Sequence, residues 1–295
     1  MKNKPKICLT YGDPASIGPE ILVKTLKGWR FKLKPIVFGD FPSFRLGKPT
    51  KHSGLHAYKC LKEAVYFAKK NKNSHLVTGP VSKFVINLSH KGFVGQTDEI
   101  AKLCGISSGN VIMLFVAGDL RIALFTRHIP LNKVCKRITK NELENFLLLL
   151  NKEFKKWLHI KNPIIGILGL NPHAGEGGLF GSEEEKIIAP IINKLNSRGL
   201  RLFGPLSPDA TLASAGQNFL LKKKQKYDVL VSFYHDQALP MFKAVAGMKG
   251  VNVTLGLPFL RVSVDHGTAF DIAGKNKASN EGLVNAIKLL SSISN

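Results

Sequence analysis

The sequence predicts an α/β protein with mixed, mostly parallel sheets, and three observations support this class. Apolar runs of strand length alternate with amphipathic helical segments along most of the 295 residues, a pattern typical of βαβ units. Several of the runs end at turns that contain glycine or proline. One pair of runs, residues 111–116 and 121–125, is joined by the short segment Ala117-Gly-Asp-Leu, which predicts a β-hairpin and hence an antiparallel pair.

The N-terminal part of the chain follows this alternation. Residues 7–10 form a short apolar run that predicts a strand, and Pro19 suits the first turn of the helix that follows. A second short strand is predicted over residues 35–39. The spacing of apolar residues predicts a helix over 55–70, and residues 76–83 are expected to form a strand that runs into a Gly-Pro turn.

Two further helices are predicted in the middle of the chain. Residues 141–158 carry a continuous apolar stripe at helical spacing, which is the clearest helical pattern in the sequence. Ser182 followed by Glu185 has the spacing of a capping box, so we expect a second helix to begin at Ser182 and to end near Gly199.

Three histidines share one placement, because each follows an apolar run that predicts a buried strand. Ligands of α/β proteins bind where the carboxyl ends of strands meet, so three imidazoles there can hold a divalent metal and leave positions open for a substrate. For a single histidine, a hydrogen bond to a backbone carbonyl is the favoured explanation. The shared placement favours a metal site instead, with the ligands His128, His173 and His235.

Two of these histidines lie in segments with further polar groups. Residues 169–178 are rich in glycine and precede a helix, so their backbone can approach an anion closely. The segment matches neither GxGxxG nor a Walker A loop, so it predicts no standard nucleotide site. Asp236 can orient His235 or accept a proton, and Lys243 can bind a substrate anion or assist proton transfer.

Arg261 lies within an apolar stretch, where a buried cation requires an anionic partner. Residue type alone leaves two partners open, a structural carboxylate or the phosphate or carboxylate of a substrate. The polar turn at Gln96 and Thr97 precedes a predicted helix and, by itself, indicates only a helix cap.

The composition excludes several classes of function. The formal net charge of +23 comes almost entirely from lysine, with only eight arginines and no aromatic residues interleaved for base stacking, so we expect no nucleic-acid partner. The charge should instead attract anionic small molecules, such as a phosphorylated substrate. There is no apolar run of membrane-spanning length, no signal-peptide pattern, and only four scattered cysteines, which together predict a cytoplasmic protein with no membrane partner.

Taken together, the motifs resemble the 4-hydroxythreonine-4-phosphate dehydrogenase family of vitamin B6 (pyridoxal phosphate) biosynthesis. The resemblance extends from Tyr11 to about Leu290. It rests on Tyr11-Gly-Asp-Pro-Ala-Ser-Ile-Gly-Pro-Glu, Asn171-Pro-His-Ala-Gly-Glu-Gly-Gly, Tyr234-His-Asp-Gln, Leu255-Gly-Leu-Pro-Phe-Leu-Arg and Ser263-Val-Asp-His-Gly-Thr-Ala.

The resemblance implies a two-lobed fold like that of isocitrate and isopropylmalate dehydrogenases. We expect residues 1–95 plus 265–295 to form the first lobe, and residues 96–264 to form the second, with most of the metal and substrate residues and the interface of a homodimer. The family's metal, shared between subunits and predicted to be Zn, Mg or Co, would be held by the three histidines named above. The family's substrate-binding positions correspond to Gln96, Thr97, Lys243, Asn252 and Arg261.

The resemblance further implies NAD(P)-dependent oxidation of 4-hydroxy-L-threonine 4-phosphate to a β-keto acid, which decarboxylates to 3-amino-2-oxopropyl phosphate. Asp236, Asp209 and Lys243 are the candidates for the catalytic base, and the sequence does not choose among them. The cofactor-binding residues are not placed, because no dinucleotide fingerprint is present.

Two alternatives stay open, and one departure from the family's pattern bears on the nearer of them. The family has histidine where this chain has Gln96, and glutamine can donate to an anion but cannot carry a proton as imidazole does. A sister dehydrogenase acting on a related substrate such as 4-phospho-D-threonate is therefore the nearest alternative. A metal-dependent lyase or hydrolase of a sugar phosphate is the second.

Overall fold

The structure is a computed structural model that describes residues 5–39 and 44–293. Residues 1–4, 40–43 and 294–295 lie outside this description, and the first four belong to the N-terminal segment in which no signal-peptide pattern was found. The chain divides into two compact units. Unit 1 comprises Met1–Val111 with Val251–Asn295, and unit 2 comprises Ile112–Gly250.

Unit 1 is built on five strands in the order β2-β1-β3-β10-β9. All neighbours pair in parallel except β10 and β9, which are antiparallel. A 3-10 turn covers Ser108–Asn110. The elements are β1 (Lys6–Thr10), α1 (Gly18–Lys27), β2 (Lys34–Phe38), α2 (Lys51–Lys70), β3 (Ser74–Thr78), α3 (Lys83–Asn87), α4 (Gln96–Cys104), β9 (Val251–Leu255), β10 (Arg261–Val264) and α10 (Glu281–Ile293).

The helix predicted over 55–70 is present in unit 1 and begins one turn earlier, at Lys51. The cause is a capping box, in which Ser53 N donates to Thr50 Oγ1 (3.2 Å) and Thr50 N donates to Ser53 Oγ (3.0 Å). The buried face of α2 packs into an apolar core with β1 and β3, through residues that include Leu61, Val65 and Leu76. This packing fixes the end of β3, where Arg261 donates to Thr78 and Gln96 donates to Gly79 O.

Unit 2 also has five strands, in the order β4-β5-β8-β6-β7. The predicted hairpin is confirmed as β4 and β5, and the remaining neighbours are parallel. Short 3-10 turns cover Leu131–Lys133, Pro172–Gly175 and Gly247–Lys249, and a π-helical turn covers Glu184–Ile188. The other elements are β4 (Ile112–Ala117), β5 (Leu120–Leu124), α5 (Val134–Arg137), α6 (Lys140–Trp157), β6 (Ile164–Leu168), α7 (Ala189–Asn196), β7 (Arg201–Leu206), α8 (Pro208–Leu220), β8 (Val229–Ser232) and α9 (His235–Ala246).

The strands that precede the three histidines are neighbours in this sheet. Strands β5, β8 and β6 lie side by side and parallel, so their carboxyl ends face the same edge. The pairing of β5 with β8 continues beyond both strands, because Phe125 N donates to Ser232 O and Thr126 N donates to Phe233 O. The prediction that three buried strands lead to the histidines is confirmed.

The helix prediction after residue 180 needs one correction. The predicted capping box of Ser182 and Glu185 is wrong, because the helical turn begins at Glu184 and its N-cap, Glu183, makes no side-chain capping hydrogen bond. The buried Glu184 carboxylate turns back to the segment before His173, as described below. By contrast, the helix predicted over 141–158 is present as α6, capped by Thr139.

The observed division into units differs from the predicted boundaries. Residues 96–111 and 251–264 were expected in the second lobe, and they belong to unit 1. The reason is packing, since α4 contacts α2 and β10 pairs with β3. Asn252 and Arg261 therefore lie in unit 1, whereas the three histidines lie in unit 2.

No helix among the described residues has the length and apolar character needed to cross a membrane. The four cysteines are all free thiols, and three of them are buried.

Candidate active site

The rings of His128 and His235 lie close together at the strand ends of unit 2. Their centroids are 5.6 Å apart, and their planes are inclined by 40°. Thr126 fixes this approach, because its hydroxyl donates to the carbonyl oxygen of Phe233 at 2.6 Å. His128 is exposed and has a positive φ of 28°, and His235 is the first residue of α9. Two imidazoles this close can both reach one cation.

Asp236 lies beside His235 and orients it. The Nδ1 atom of His235 is 2.8 Å from an Oδ1 atom of Asp236, and the carboxylate is otherwise largely exposed. A carboxylate that accepts the Nδ1 proton leaves Nε2 as the nitrogen available to a metal. The sequence suggested two roles for Asp236, to orient His235 or to accept a proton. The structure shows the contact that the first role requires.

His173 lies in a backbone segment that L residues seldom adopt. His173, Ala174 and Glu176 have φ values of 51°, 56° and 43°, and each such residue costs on the order of 1 kcal/mol or more. Neighbouring hydrogen bonds stabilise this turn. The buried Glu184 carboxylate accepts from Leu170 N (2.7 Å) and from both the backbone and side-chain nitrogens of Asn171, at 2.8 and 2.9 Å.

Gln237 connects the segment before His173 with the start of the helix that carries His235. Its Nε2 donates to Gly169 O at 2.6 Å, while its Oε1 accepts from Phe233 N (2.7 Å) and from the Ser232 hydroxyl (3.0 Å). Sequence reasoning assigned no role to Gln237 or Glu184. The motif Tyr234-His-Asp-Gln contained Gln237, and that was the only available signal.

Asp209 lies in the first turn of α8 and is close enough to His173 to interact with it electrostatically. A hydrogen bond from the Ser207 hydroxyl, and then one from the Ala210 backbone N–H, hold the pKa of Asp209 below its ordinary value, and His173 adds a smaller contribution. Asp209 therefore remains a carboxylate at neutral pH and stabilises a positive charge near His173.

The donor set suits a divalent transition metal, because imidazole nitrogens with nearby carboxylates are ligands for zinc and cobalt. Over residues 5–39 and 44–293 of one chain, no three His, Cys, Asp or Glu side chains are grouped to hold a metal. The structure brings His128 and His235 together and places His173 beside Asp209. Lys243 lies exposed in the last turn of α9.

Arg261 is buried in unit 1, and its charge has no carboxylate partner among the described residues. Its Nε and Nη2 donate to Thr78 Oγ1 (3.1 and 2.7 Å), and its Nη1 donates to Thr254 Oγ1 (3.3 Å). Burial lowers the pKa of Arg261 to about 9. The sequence left two partners open, a structural carboxylate or an anionic group of a substrate. A structural carboxylate is not found within the described part of the chain.

Two other predicted substrate residues of unit 1, Gln96 and Asn252, carry polar groups that could contact a substrate. Gln96 Nε2 donates one of its two N–H groups to Gly79 O at 3.1 Å, and Gly79 directly follows the threonine that binds Arg261. Thr97 is buried beside it. The Oδ1 atom of Asn252 is buried and has no hydrogen-bond partner among the described residues. An unsatisfied buried acceptor of this kind suits a ligand donor.

The family model described as pyridoxal phosphate biosynthetic protein PdxA matches residues 20–290 of the chain. The chain belongs to this family. The resemblance drawn from the motifs is thereby confirmed.

Relatives of this PdxA-family chain align with nearly all of its residues. A protein from Aromatoleum aromaticum named 4-hydroxythreonine-4-phosphate dehydrogenase is 35% identical, over 98% of this chain and 96% of its own. The crystal structure of a 4-hydroxythreonine-4-phosphate dehydrogenase from Klebsiella pneumoniae superposes with a TM-score of 0.81 at 28% identity, over 99% of this chain and all (100%) of the other.

A more distant structure bears on the fold alone. Isocitrate dehydrogenase from Methylococcus capsulatus superposes with a TM-score of 0.53 at 14% identity, over 98% of this PdxA-family chain and 84% of its own. The predicted α/β fold of the isocitrate dehydrogenase type is therefore confirmed.

Proposed function

We propose that this chain is a 4-hydroxythreonine-4-phosphate dehydrogenase, which oxidises 4-hydroxy-L-threonine 4-phosphate with NAD or NADP and one divalent metal. The observation that carries the proposal is the paired arrangement of His128 and His235, with Asp236 bonded to His235, in a chain of the PdxA family. We further propose that it acts in the cytoplasm, which agrees with its free cysteines.

His128, His173 and His235 are the proposed ligands of a zinc, cobalt or magnesium ion. When bound, such a cation acts as a Lewis acid that lowers the pKa of a substrate hydroxyl. Asp236 keeps the His235 ring in the tautomer that presents Nε2. Glu184 and Gln237 hold the backbone on which His173 and His235 are placed.

Substrate binding is assigned to Gln96, Thr97, Lys243, Asn252 and Arg261. Arg261 supports this assignment because its buried charge lacks a carboxylate partner among the described residues, and a substrate phosphate or carboxylate would supply one. The buried Oδ1 of Asn252 would accept from a substrate hydroxyl or ammonium group.

In the reaction, the C3 hydroxyl of the substrate loses its proton to a protein base, and the C3 hydride leaves to the nicotinamide. The resulting β-keto acid loses carbon dioxide and gives 3-amino-2-oxopropyl phosphate. The lowered pKa of Asp209 makes it a weak base and favours a role as fixed negative charge near His173. Asp236 or Lys243 is then the proton acceptor.

We propose a homodimer in which the metal site is shared between subunits. In this arrangement His128 and His235 come from one subunit, because their rings are close within one chain, and His173 comes from the partner. The assignment of His173 to the other subunit is tested by mixing inactive variants, as described in the Discussion.

A substrate panel tests the choice of substrate. We expect nicotinamide reduction with 4-hydroxy-L-threonine 4-phosphate, and loss of that activity after chelation. No reduction with NAD or NADP, with the metal restored, would contradict the proposal. Release of phosphate or cleavage of a sugar phosphate without nicotinamide reduction would favour the lyase or hydrolase alternative.

Gln96 supports one second candidate, a sister dehydrogenase that acts on a related phosphorylated hydroxy acid such as 4-phospho-D-threonate. Its Nε2 donates one of two N–H groups to Gly79 O, and the amide cannot carry a proton as imidazole does. A higher kcat/KM with 4-phospho-D-threonate than with 4-hydroxy-L-threonine 4-phosphate would establish this candidate.

A further inference from the structure

Arg121 belongs to neither the proposed metal site nor the proposed substrate site. It is the second residue of β5, so it lies at the amino end of the strand, whereas His128 follows the carboxyl end. Its Nη1 donates to the carbonyl oxygens of Asp228 (3.2 Å) and Asp119 (3.5 Å). These two bonds hold the guanidinium plane in a fixed orientation.

The opposite side of the same guanidinium is unused. Its Nε is buried and has no hydrogen-bond acceptor among the described residues, and its Nη2 likewise makes no hydrogen bond to any of them. Nε and Nη2 form one edge of the group, with two parallel donors at the spacing of a carboxylate. Nε is covered by the protein itself, so Nη2 is the donor on this edge that a ligand can reach.

Arg121 lines a cavity of about 210 Å³ in unit 2. One wall is a face of α8, which presents Thr211, Ser214 and Asn218 at helical spacing. The cavity also has apolar lining from Leu120, Leu230 and the ring of Tyr227. It therefore combines a fixed cationic fork, uncommitted polar groups and apolar surface, the composition of a small-molecule site.

The charges around the cavity permit an anion. Lys226 lines it together with Arg121. The nearby carboxylates are already engaged, since Asp228 Oδ2 accepts from Ile164 N (2.7 Å) and Asp119 Oδ2 accepts from Gln225 N (3.3 Å). Burial lowers the pKa of Arg121, with Asp228 and Asp119 opposing that shift only in part, so a closer anion would further stabilise the charged form.

We propose that this cavity binds a small organic acid, whose carboxylate pairs with the guanidinium of Arg121 through Nη2 and whose apolar body lies against Leu120, Leu230 and Tyr227. The site is distinct from the proposed active site, because it lies at the amino ends of β5 and β8 and the histidines follow the carboxyl ends. Binding there requires neither the metal nor turnover.

Fluorine NMR with 4-fluorobenzoate tests the proposal, with 4-fluorobenzamide as a neutral ligand of similar shape. We expect saturable binding of the acid, and binding of the amide that is weaker by at least about tenfold, because a charged pair is lost. Arg121→Gln should weaken binding of the acid to a similar degree. The matched control Arg201→Gln, at an exposed position of β7, should leave it unchanged.

A second variant keeps the test decisive if Arg121→Gln fails to fold. Ser214 is exposed on α8, so Ser214→Trp should fold, fill the cavity and abolish binding. The His173→Ala variant should bind the acid normally, which separates this site from the proposed function. Equal affinity for acid and amide, or a crystal structure that places 4-bromobenzoate elsewhere, would overturn the proposal.

Discussion

Gln237 Nε2 donates to the carbonyl oxygen of Gly169 across 2.6 Å, and this bond joins two segments that carry different histidines. Gln237 lies two residues after His235, and Gly169 lies four residues before His173. The other end of the same amide accepts two hydrogen bonds from the end of β8. One side chain therefore sets the start of α9 relative to the turn that leads to His173.

Substitution of Gln237 by alanine should loosen both segments. We expect metal affinity to fall by about 10- to 100-fold, as for other residues that orient ligands, and the free energy of unfolding to fall by about 1–3 kcal/mol because buried partners lose their hydrogen bonds. Isothermal titration with zinc and urea unfolding measure the two effects. Gln217→Ala, at an exposed site on α8, is the control and should change neither. Unchanged metal affinity in Gln237→Ala would show that Gln237 does not position the ligands.

Mixing two inactive variants tests the shared metal site. His173→Ala and His235→Ala should each lose turnover, because each lacks one ligand. If His173 and His235 act from different subunits, a heterodimer has one complete site, so random exchange should restore about a quarter of the wild-type activity. Refolding the two variants together and assaying the mixture measures this. No recovery, despite heterodimers detected by mass spectrometry, would place His173 and His235 of one site on the same chain and contradict the proposed sharing.

Replacement of Arg261 by methionine should weaken substrate binding without lowering the free energy of unfolding. Removal of a buried charge without a carboxylate partner should leave the free energy of unfolding unchanged, or raise it by about 1–3 kcal/mol. The same change should raise KM by about tenfold or more, because the anion loses its charged partner. Urea unfolding and steady-state kinetics measure the two quantities, with Arg201→Met as the exposed control. A normal KM would remove Arg261 from the substrate site.

His75 should make the stability of the protein depend on pH. Burial in β3 lowers the pKa of His75 from 6.5 to about 4. The unfolded chain therefore binds this proton first as the pH falls, so the contribution is complete above about pH 6.5 and is lost toward pH 4. Between pH 7 and 5 the loss should be about 2 kcal/mol.

Urea unfolding of the metal-free protein at the two pH values measures this loss. His75→Leu should reduce the pH dependence by that amount, whereas His52→Leu, at an exposed position, should retain the wild-type dependence. The same pH dependence in His75→Leu as in the wild type would contradict the assignment to His75.

Local sequence patterns predicted those parts of the fold that are determined by residues close together in the chain. The hairpin of β4 and β5, the helix α6 and the placement of the histidines after buried strands follow from apolar periodicity and turn residues. The roles of Glu184 and Gln237 depend on partners 13 to 68 residues away, which no local pattern identifies. The Ser182 capping box was wrong because the helical turn begins at Glu184, with Glu183 and not Ser182 at the N-cap.

Arg261 shows the same limit in the candidate site. Its position in an apolar run predicted a buried cation, but only the folded structure shows that its donors meet Thr78 and Thr254. Likewise, the family's pattern identified Gln96 as different, but only the folded structure shows that its side-chain nitrogen donates to Gly79 O.

The most direct test of the account is oxidation of 4-hydroxy-L-threonine 4-phosphate by the purified protein before chelation, after chelation, and after metal is restored. We predict one reduced nicotinamide and one carbon dioxide for each substrate consumed, no turnover after chelation, and recovery with zinc, cobalt or magnesium. Full turnover in the chelated protein, with metal absent by elemental analysis, would contradict the central claim that the three histidines bind a catalytic metal.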